Sequence, residues 1–234
     1  MKLRELALAA SVAAAAIAPQ AAAAPARKAA PAAVDWSKRV AMTPEGGFLM
    51  GNPAARVKVV EYGSLTCPTC ARFTNTAKAA LAARVRTGRV SFEFRNFILN
   101  GPDAAASLVA RCGGTARFFP LMEHFYATQP VWVGKISGLT ADQQKQLQSL
   151  SDGQRLVRVA QIGGLTQAAA QAGLPAARTN ACLADPAALT RLVQMAEAAE
   201  KIGVHGTPTF FINNVQASAN DWPGILALIT KAGG

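Results

Sequence analysis

Histidine, cysteine, aromatic and acidic residues are all scarce in this 234-residue chain, and each scarcity excludes something. There are two histidines and four cysteines. The one C-x-x-C, Cys67-Pro68-Thr69-Cys70, has no second such pair and no neighbouring Cys/His pair to close a tetrahedral set, so no metal site is expected. Aromatics make up 6% of the chain, and the basic residues are scattered instead of forming runs interleaved with aromatics. The formal charge of +11 therefore does not indicate nucleic-acid binding. With 24 basic against 13 acidic side chains, the excess favours solubility and a weak attraction to anionic surfaces or acidic partners. There is no internal repeat, and beyond the N-terminus no segment reads as a membrane span.

The first residues have the three parts of an export signal: Lys2 and Arg4, an apolar stretch from Leu6 to Ala18, and small residues at Ala21 to Ala24. That stretch is short and Ala-rich for a membrane anchor, so cleavage is expected. A Pro/Ala-rich segment without periodicity follows and reads as a flexible leader. The remainder is long enough for one substantial core. In an exported chain the even number of cysteines permits two bridges.

The C-x-x-C sits where a β-type run, Val57 to Tyr62, gives way to an Ala-rich helical run. Proline disfavours helical geometry at the residue before it and fixes its own φ for a first helical turn, so Cys67 is predicted as the N-cap and Pro68 as the first helical residue. Cys70 then lies about one turn on, within disulfide reach. Cys67 faces the unpaired N–H groups and positive end of the helix, which stabilise a thiolate and make it both nucleophile and leaving group. A structural crosslink or half of a zinc site would use the same spacing, but the strand-to-helix context favours a redox-active dithiol.

Around this junction, Phe48-Leu49-Met50 reads as a short strand, residues 68–86 as a helix stopped at Thr87-Gly88, and Val90 to Arg95 as an alternating strand. Val57 to Tyr62, this helix and Val90 to Arg95 form a βαβ unit whose right-handed crossover makes its strands parallel and places Cys67 at the carboxyl edge of the sheet. From Pro102 to about Ile202 the pattern is helical. Strand character returns at Thr209 to Asn213, with a turn at Asn213-Asn214 and a closing helix from Trp222 to Lys231.

Three features together resemble the DsbA-like thiol:disulfide oxidoreductases of the thioredoxin superfamily. These are Val60-Glu61-Tyr62-Gly63-Ser64-Leu65-Thr66-Cys67-Pro68-Thr69-Cys70, the long helical insertion, and Gly203-Val204-His205-Gly206-Thr207-Pro208-Thr209-Phe210. The resemblance implies an α/β architecture, a thioredoxin fold with an inserted helical domain. The expected division is a signal peptide at 1–24, a leader at 25–44, a βαβ part at 45–100, the insertion at 101–202 and a ββα part at 203–234.

It further implies a periplasmic enzyme without cofactor that exchanges disulfides with exported proteins as they fold. By that resemblance Cys67 is the exposed sulfur that forms the mixed disulfide with a client, and Cys70 its recessed partner. Thr207-Pro208 corresponds to the cis-proline loop beside the dithiol, leaving Thr207 backbone groups to pair with a client. Glu61 corresponds to a buried acid that moves protons to and from Cys70; otherwise it is a strand-end acid reaching solvent. Cys112 and Cys182, both in the insertion, are expected to form a second disulfide, the other reading being two buried unpaired thiols.

The best-known family pattern has His where this chain has Thr69, which offers a hydroxyl but no charge. A weaker oxidant is therefore expected. The preferred reading is an oxidase whose Cys67–Cys70 bond is restored by a quinone-linked membrane partner. A reductase or isomerase on the same fold is the closest alternative, and a metal carrier using the dithiol the alternative from another class. No dimerisation segment is evident, and a monomer is expected. His205 could neighbour the dithiol, whereas His124, Phe118, Phe119, Phe125 and Tyr126 read as surface or core residues of the insertion.

Overall fold

The structure, a computed structural model, describes residues 34–234. The expected signal peptide and residues 25–33 of the expected leader lie outside the described residues.

The sheet starts from the βαβ unit. β3 (Val57–Gly63) and β4 (Val90–Asn96) are parallel and joined by α1 (Pro68–Arg86), in register from Val57 opposite Val90 to Gly63 opposite Asn96. Thr87 and Gly88 end α1, and Gly88 has φ +79°, a conformation that glycine adopts without a Cβ penalty. Trp36 packs so closely over Gly88 that a Cβ there would meet its ring at 2.6 Å.

The other strands are antiparallel. β2 (Phe48–Gly51) lies beside β4, with β1 (Val40–Met42) outside it. On the other side β5 (Thr209–Ile212) pairs with β3, and β6 (Val215–Gln216) closes the edge through a turn in which Asn213 and Asn214 have φ +50° and +67°. The six-strand order is β1-β2-β4-β3-β5-β6, which puts β3, the strand leading to Cys67, in the interior.

Between β4 and β5 run eight helices: α2 (Gly101–Cys112), α3 (Gly114–Ala127), α4 (Gln129–Ser137), α5 (Ala141–Gln148), α6 (Asp152–Gly163), α7 (Leu165–Gln171), α8 (Ala176–Ala184) and α9 (Pro186–Glu200). A final helix, α10 (Trp222–Lys231), is capped by Asp221, whose side chain accepts from the Gly224 N–H. This is a thioredoxin fold with a helical insertion. No helix among the described residues is long and apolar enough to cross a membrane.

One core spans both parts. Phe48 of β2 stacks on Phe118 of α3 with ring centroids 3.8 Å apart, and Phe94 of β4 lies 5.8 Å from the same ring. Phe73 of α1 lies 4.4 Å from Phe210 of β5, so the helix carrying the dithiol packs against the strand that follows Pro208.

One expectation needs correction. Part of the segment expected as a flexible leader is folded: a 3-10 turn at Trp36–Lys38, with Asp35 capping Ser37, leads into β1. This edge strand is largely exposed; it is held by backbone pairing with β2 and by Val40, which packs against the core. Both faces of β4 are covered, Ser91 and Glu93 included. Glu93 can be buried because Arg95 grips both its oxygens, at 2.7 and 3.0 Å, while Thr43 donates to it at 2.7 Å.

Cys112 at the end of α2 and Cys182 in α8 form a disulfide with Cα atoms 6.0 Å apart, closing a loop with a sequence separation of 70. Replacing both with serine is expected to lower the unfolding free energy by about 4 kcal/mol on chain-entropy grounds. Urea denaturation with the Cys67/Cys70 pair held in one redox state checks this, and an unchanged midpoint would refute it.

Candidate active site

The turn Ser64-Leu65-Thr66-Cys67 carries the chain from β3 into α1. Cys67 caps the helix in an extended conformation, with φ −77° and ψ 120°, and Pro68 follows as the first helical residue. The Cys67 carbonyl accepts the first helical bond from the Ala71 N–H at 3.1 Å. Both cysteines are free thiols, Cys70 fully enclosed and Cys67 8% exposed. Cys67 is thus the more accessible sulfur, but far less open than expected. The Thr207-Pro208 bond is cis, and the Thr207 carbonyl accepts from the Cys67 thiol at 3.3 Å, so this backbone group is already engaged by the dithiol.

The two sulfurs are electrostatically unequal. Cys67 is brought down to about 5, first by a hydrogen bond that its sulfur accepts from Cys70, against the opposing effect of burial. The Thr207 side chain and the backbone N–H groups of Cys70 and Thr69 lower it further. While Cys67 is a thiol the buried Thr207 hydroxyl has no partner among the described residues; the thiolate supplies an acceptor. Cys70 moves the other way, well above the ordinary thiol range, because burial, its bond to Cys67 and the nearby Glu61 and Cys67 charges all disfavour its ionisation.

Thr69 acts here through its backbone N–H, and its hydroxyl makes no hydrogen bond among the described residues. His205 is exposed and is not among the groups acting on Cys67.

Glu61 is fully buried on β3, does not reach solvent, and neither carboxylate oxygen has a hydrogen-bond partner among the described residues. Burial, then the Cys67 charge, hold its carboxyl well above the usual range. Among the described residues no group of three or more His, Cys, Asp or Glu side chains could hold a metal ion.

Sequence reasoning missed the residues that fix the turn, and all of them come from the insertion. Asp103 of α2 accepts from the Leu65 N–H at 2.8 Å and the Leu99 N–H at 3.0 Å. The Tyr126 hydroxyl of α3 donates to the Ser64 carbonyl at 3.1 Å. Gln129, at the start of α4, donates from one amide nitrogen to the carbonyls of Leu65 at 2.8 Å and Cys67 at 3.0 Å. The one signal available was Asn100 and Asp103 at a helix start, which reads as capping; the Asn100 side chain does cap the Asp103 N–H at 2.9 Å.

An unequal dithiol at a strand-to-helix turn, beside a cis proline on a mixed sheet, defines a dithiol protein of the thioredoxin fold. The chain belongs to the thioredoxin family, whose model, described as "Thioredoxin", matches residues 43–231. A Rickettsia bellii protein provisionally named protein-disulfide oxidoreductase is 29% identical over 190 residues, covering 80% of this chain and 65% of that one. Its Rickettsia typhi counterpart, similarly named, is 31% identical over 185 residues, 79% of this chain and 61% of that one. The chain therefore spans about three fifths of the length of these curated relatives. A solved structure of a protein-disulfide isomerase from Novosphingobium aromaticivorans has a TM-score of 0.73 and 28% identity, covering 80% of this chain and 97% of that one. Wolbachia pipientis alpha-DsbA1 shares the fold, with a TM-score of 0.63, 22% identity, and coverage of 81% and 92%.

Two outcomes follow from these charges. Alkylation of Cys67 in the reduced protein should titrate near pH 5, with Cys70 unreactive below the ordinary thiol range. A Cys67 midpoint near that of a free thiol would overturn the assignment. Glu61 has a folded-state pKa above its unfolded value, so its favourable contribution is complete below the unfolded value and is lost as pH rises towards the folded one. Glu61→Gln should therefore gain stability over the parent as pH is raised from about 4 to about 7, read by urea unfolding of the reduced proteins. A gap independent of pH would show that the carboxyl titrates normally.

Proposed function

We propose that the protein is a protein thiol:disulfide oxidoreductase that donates the Cys67–Cys70 disulfide to exported clients in the periplasm. The observation that carries this reading is the inequality of the two thiols, one lowered to about 5 and its neighbour raised. A client thiolate attacks Cys67 and expels Cys70 as a thiolate, giving a mixed disulfide. A second client thiolate then attacks the client sulfur and expels Cys67. The client loses two electrons and gains a disulfide; the enzyme gains both electrons as a dithiol.

Lowering the Cys67 pKa makes Cys67 the better leaving group and stabilises the reduced enzyme, which favours donation. The buried carboxyl of Glu61, held well above the usual range, can supply the proton to Cys70 as it leaves, since an isolated buried thiolate there is strongly disfavoured. The N-terminal sequence supports export, and regeneration by a quinone-linked membrane partner completes the cycle. The protein acts as a monomer in this scheme.

A reductase or isomerase is the second reading. It is favoured by the name of the Novosphingobium relative, an isomerase, and by Thr69, which brings no charge to the dithiol. The names of the Rickettsia relatives support disulfide chemistry without setting its direction.

The reduction potential of the Cys67/Cys70 pair decides between them. It is measured in glutathione buffers by alkylation and mass, so that Cys112 and Cys182 report separately. A value towards about −120 mV is expected; one near about −270 mV would overturn the oxidising direction.

A further inference from the structure

Tyr62 and Glu61 are neighbours on β3 and point to opposite faces of the sheet. Glu61 faces the dithiol, whereas Tyr62 opens onto a cavity of about 600 Å³ between the β1–β2 turn and α9, a volume typical of small-molecule sites. Met42, Met195, Ala198 and Ile202 give this cavity apolar walls. Three arginines also line it, and they are not equivalent.

Arg95 is fully engaged: both Glu93 oxygens, the Tyr62 hydroxyl at 2.9 Å and Glu45 at 3.5 Å surround its guanidinium. Arg191 sits at the rim, largely exposed, with Asp185 3.8 Å away. Arg111, from α2, is different. Its Nη1 donates to the Gly46 carbonyl at 2.9 Å and to Asn96 Oδ1 at 3.1 Å, and the guanidinium lies 5.2 Å from the centre of the Phe48 ring. No carboxylate among the described residues pairs with it, and Nε and Nη2 have no protein acceptor there. Burial, and then repulsion from Arg191, bring it down to about 10, so it stays charged at neutral pH.

Arg111 is half-buried and carries no counter-ion among the described residues, and its free Nε/Nη2 edge is the edge by which a guanidinium grips a carboxylate with two parallel bonds. We propose that this cavity binds a monoanionic carboxylate with an apolar chain, its head on Arg111 and its chain along Met195, Ala198 and Ile202. Glu45 on the lining disfavours a doubly charged head, which selects a carboxylate over a phosphate dianion. The ligand lies across the sheet from the dithiol, so it takes no part in disulfide transfer.

Calorimetric titration of the purified protein with decanoate, below its micellar concentration, tests the proposal, with decanol as the uncharged comparison. One saturable site is expected for decanoate and binding at least tenfold weaker for decanol. Arg111→Met should weaken decanoate at least tenfold. Because Arg111 also ties down Gly46, that variant could fold poorly, so Ala198→Trp, on an exposed position of α9, provides the second test. It should abolish binding while leaving the thermal midpoint and the Cys67 titration unchanged. Absence of saturable binding, equal binding of decanol, or undiminished binding by a folded Ala198→Trp would each overturn the proposal. None of these readouts depends on disulfide transfer, so they stand apart from the proposed function.

Discussion

The site depends on the anchoring of one buried turn, Ser64 to Cys67, by the helical insertion. A turn leaving an interior strand exposes backbone groups to the core, and each must find a partner or incur the cost of desolvation. Here Asp103 takes the Leu65 N–H, Tyr126 supplies the Ser64 carbonyl, and Gln129 serves the carbonyls of Leu65 and Cys67 together. Three helices thereby fix the direction in which α1 starts, and with it the N–H groups that meet the Cys67 sulfur. The insertion positions the dithiol turn through the hydrogen bonds its side chains make to the backbone of Ser64, Leu65 and Cys67.

The same burial that demands these partners also sorts the protons. Around Cys67, the groups Glu61, Cys70 and Tyr126 are all driven towards their neutral forms, first by desolvation and then by negative charge nearby. Cys67 alone among these is drawn towards ionisation, because donors converge on it from Cys70, Thr207 and the helix start. Asp103 shows the contrast within one site. Burial raises it only to about 6, since the N–H groups of Leu65 and Leu99 and the hydroxyls of Ser64 and Ser107 compensate. Glu61, on a strand whose backbone is already paired, has no such donors among the described residues, and burial therefore raises its carboxyl without compensation.

The sequence made the βαβ unit legible because its signals are local: an apolar strand, C-P-x-C and a glycine stop lie within one short stretch. The cis proline and the Cys112–Cys182 pair came through resemblance, not through pattern. The anchoring residues were illegible for a physical reason. Gln129 lies 62 residues from Cys67 and Tyr126 lies 62 from Ser64, and a polar side chain reaching a backbone group at that range leaves no periodic trace. Tyr126 was read as core, and it is fully buried; only its hydroxyl has the further task. β1 left no alternating pattern because it is held mainly by backbone pairing, with only Val40 packed against the core.

Thr69 brings no charge between the cysteines, so one stabiliser of the thiolate is absent, as expected from the sequence. The structure instead assembles stabilisation from Cys70, the Thr207 side chain and two backbone N–H groups, and the result, about 5, lies between the values typical of thioredoxin and of the most acidic dithiols. Backbone donors at a helix start depend on the turn geometry and not on the identity of the intervening residue. A side chain at position 69 therefore adjusts the thiolate, whereas the anchored turn establishes it. The stability of the Cys67 thiolate is accordingly divided between two sources: residues next to the sulfurs in sequence, and residues of the insertion and the Thr207-Pro208 loop that only folding brings there.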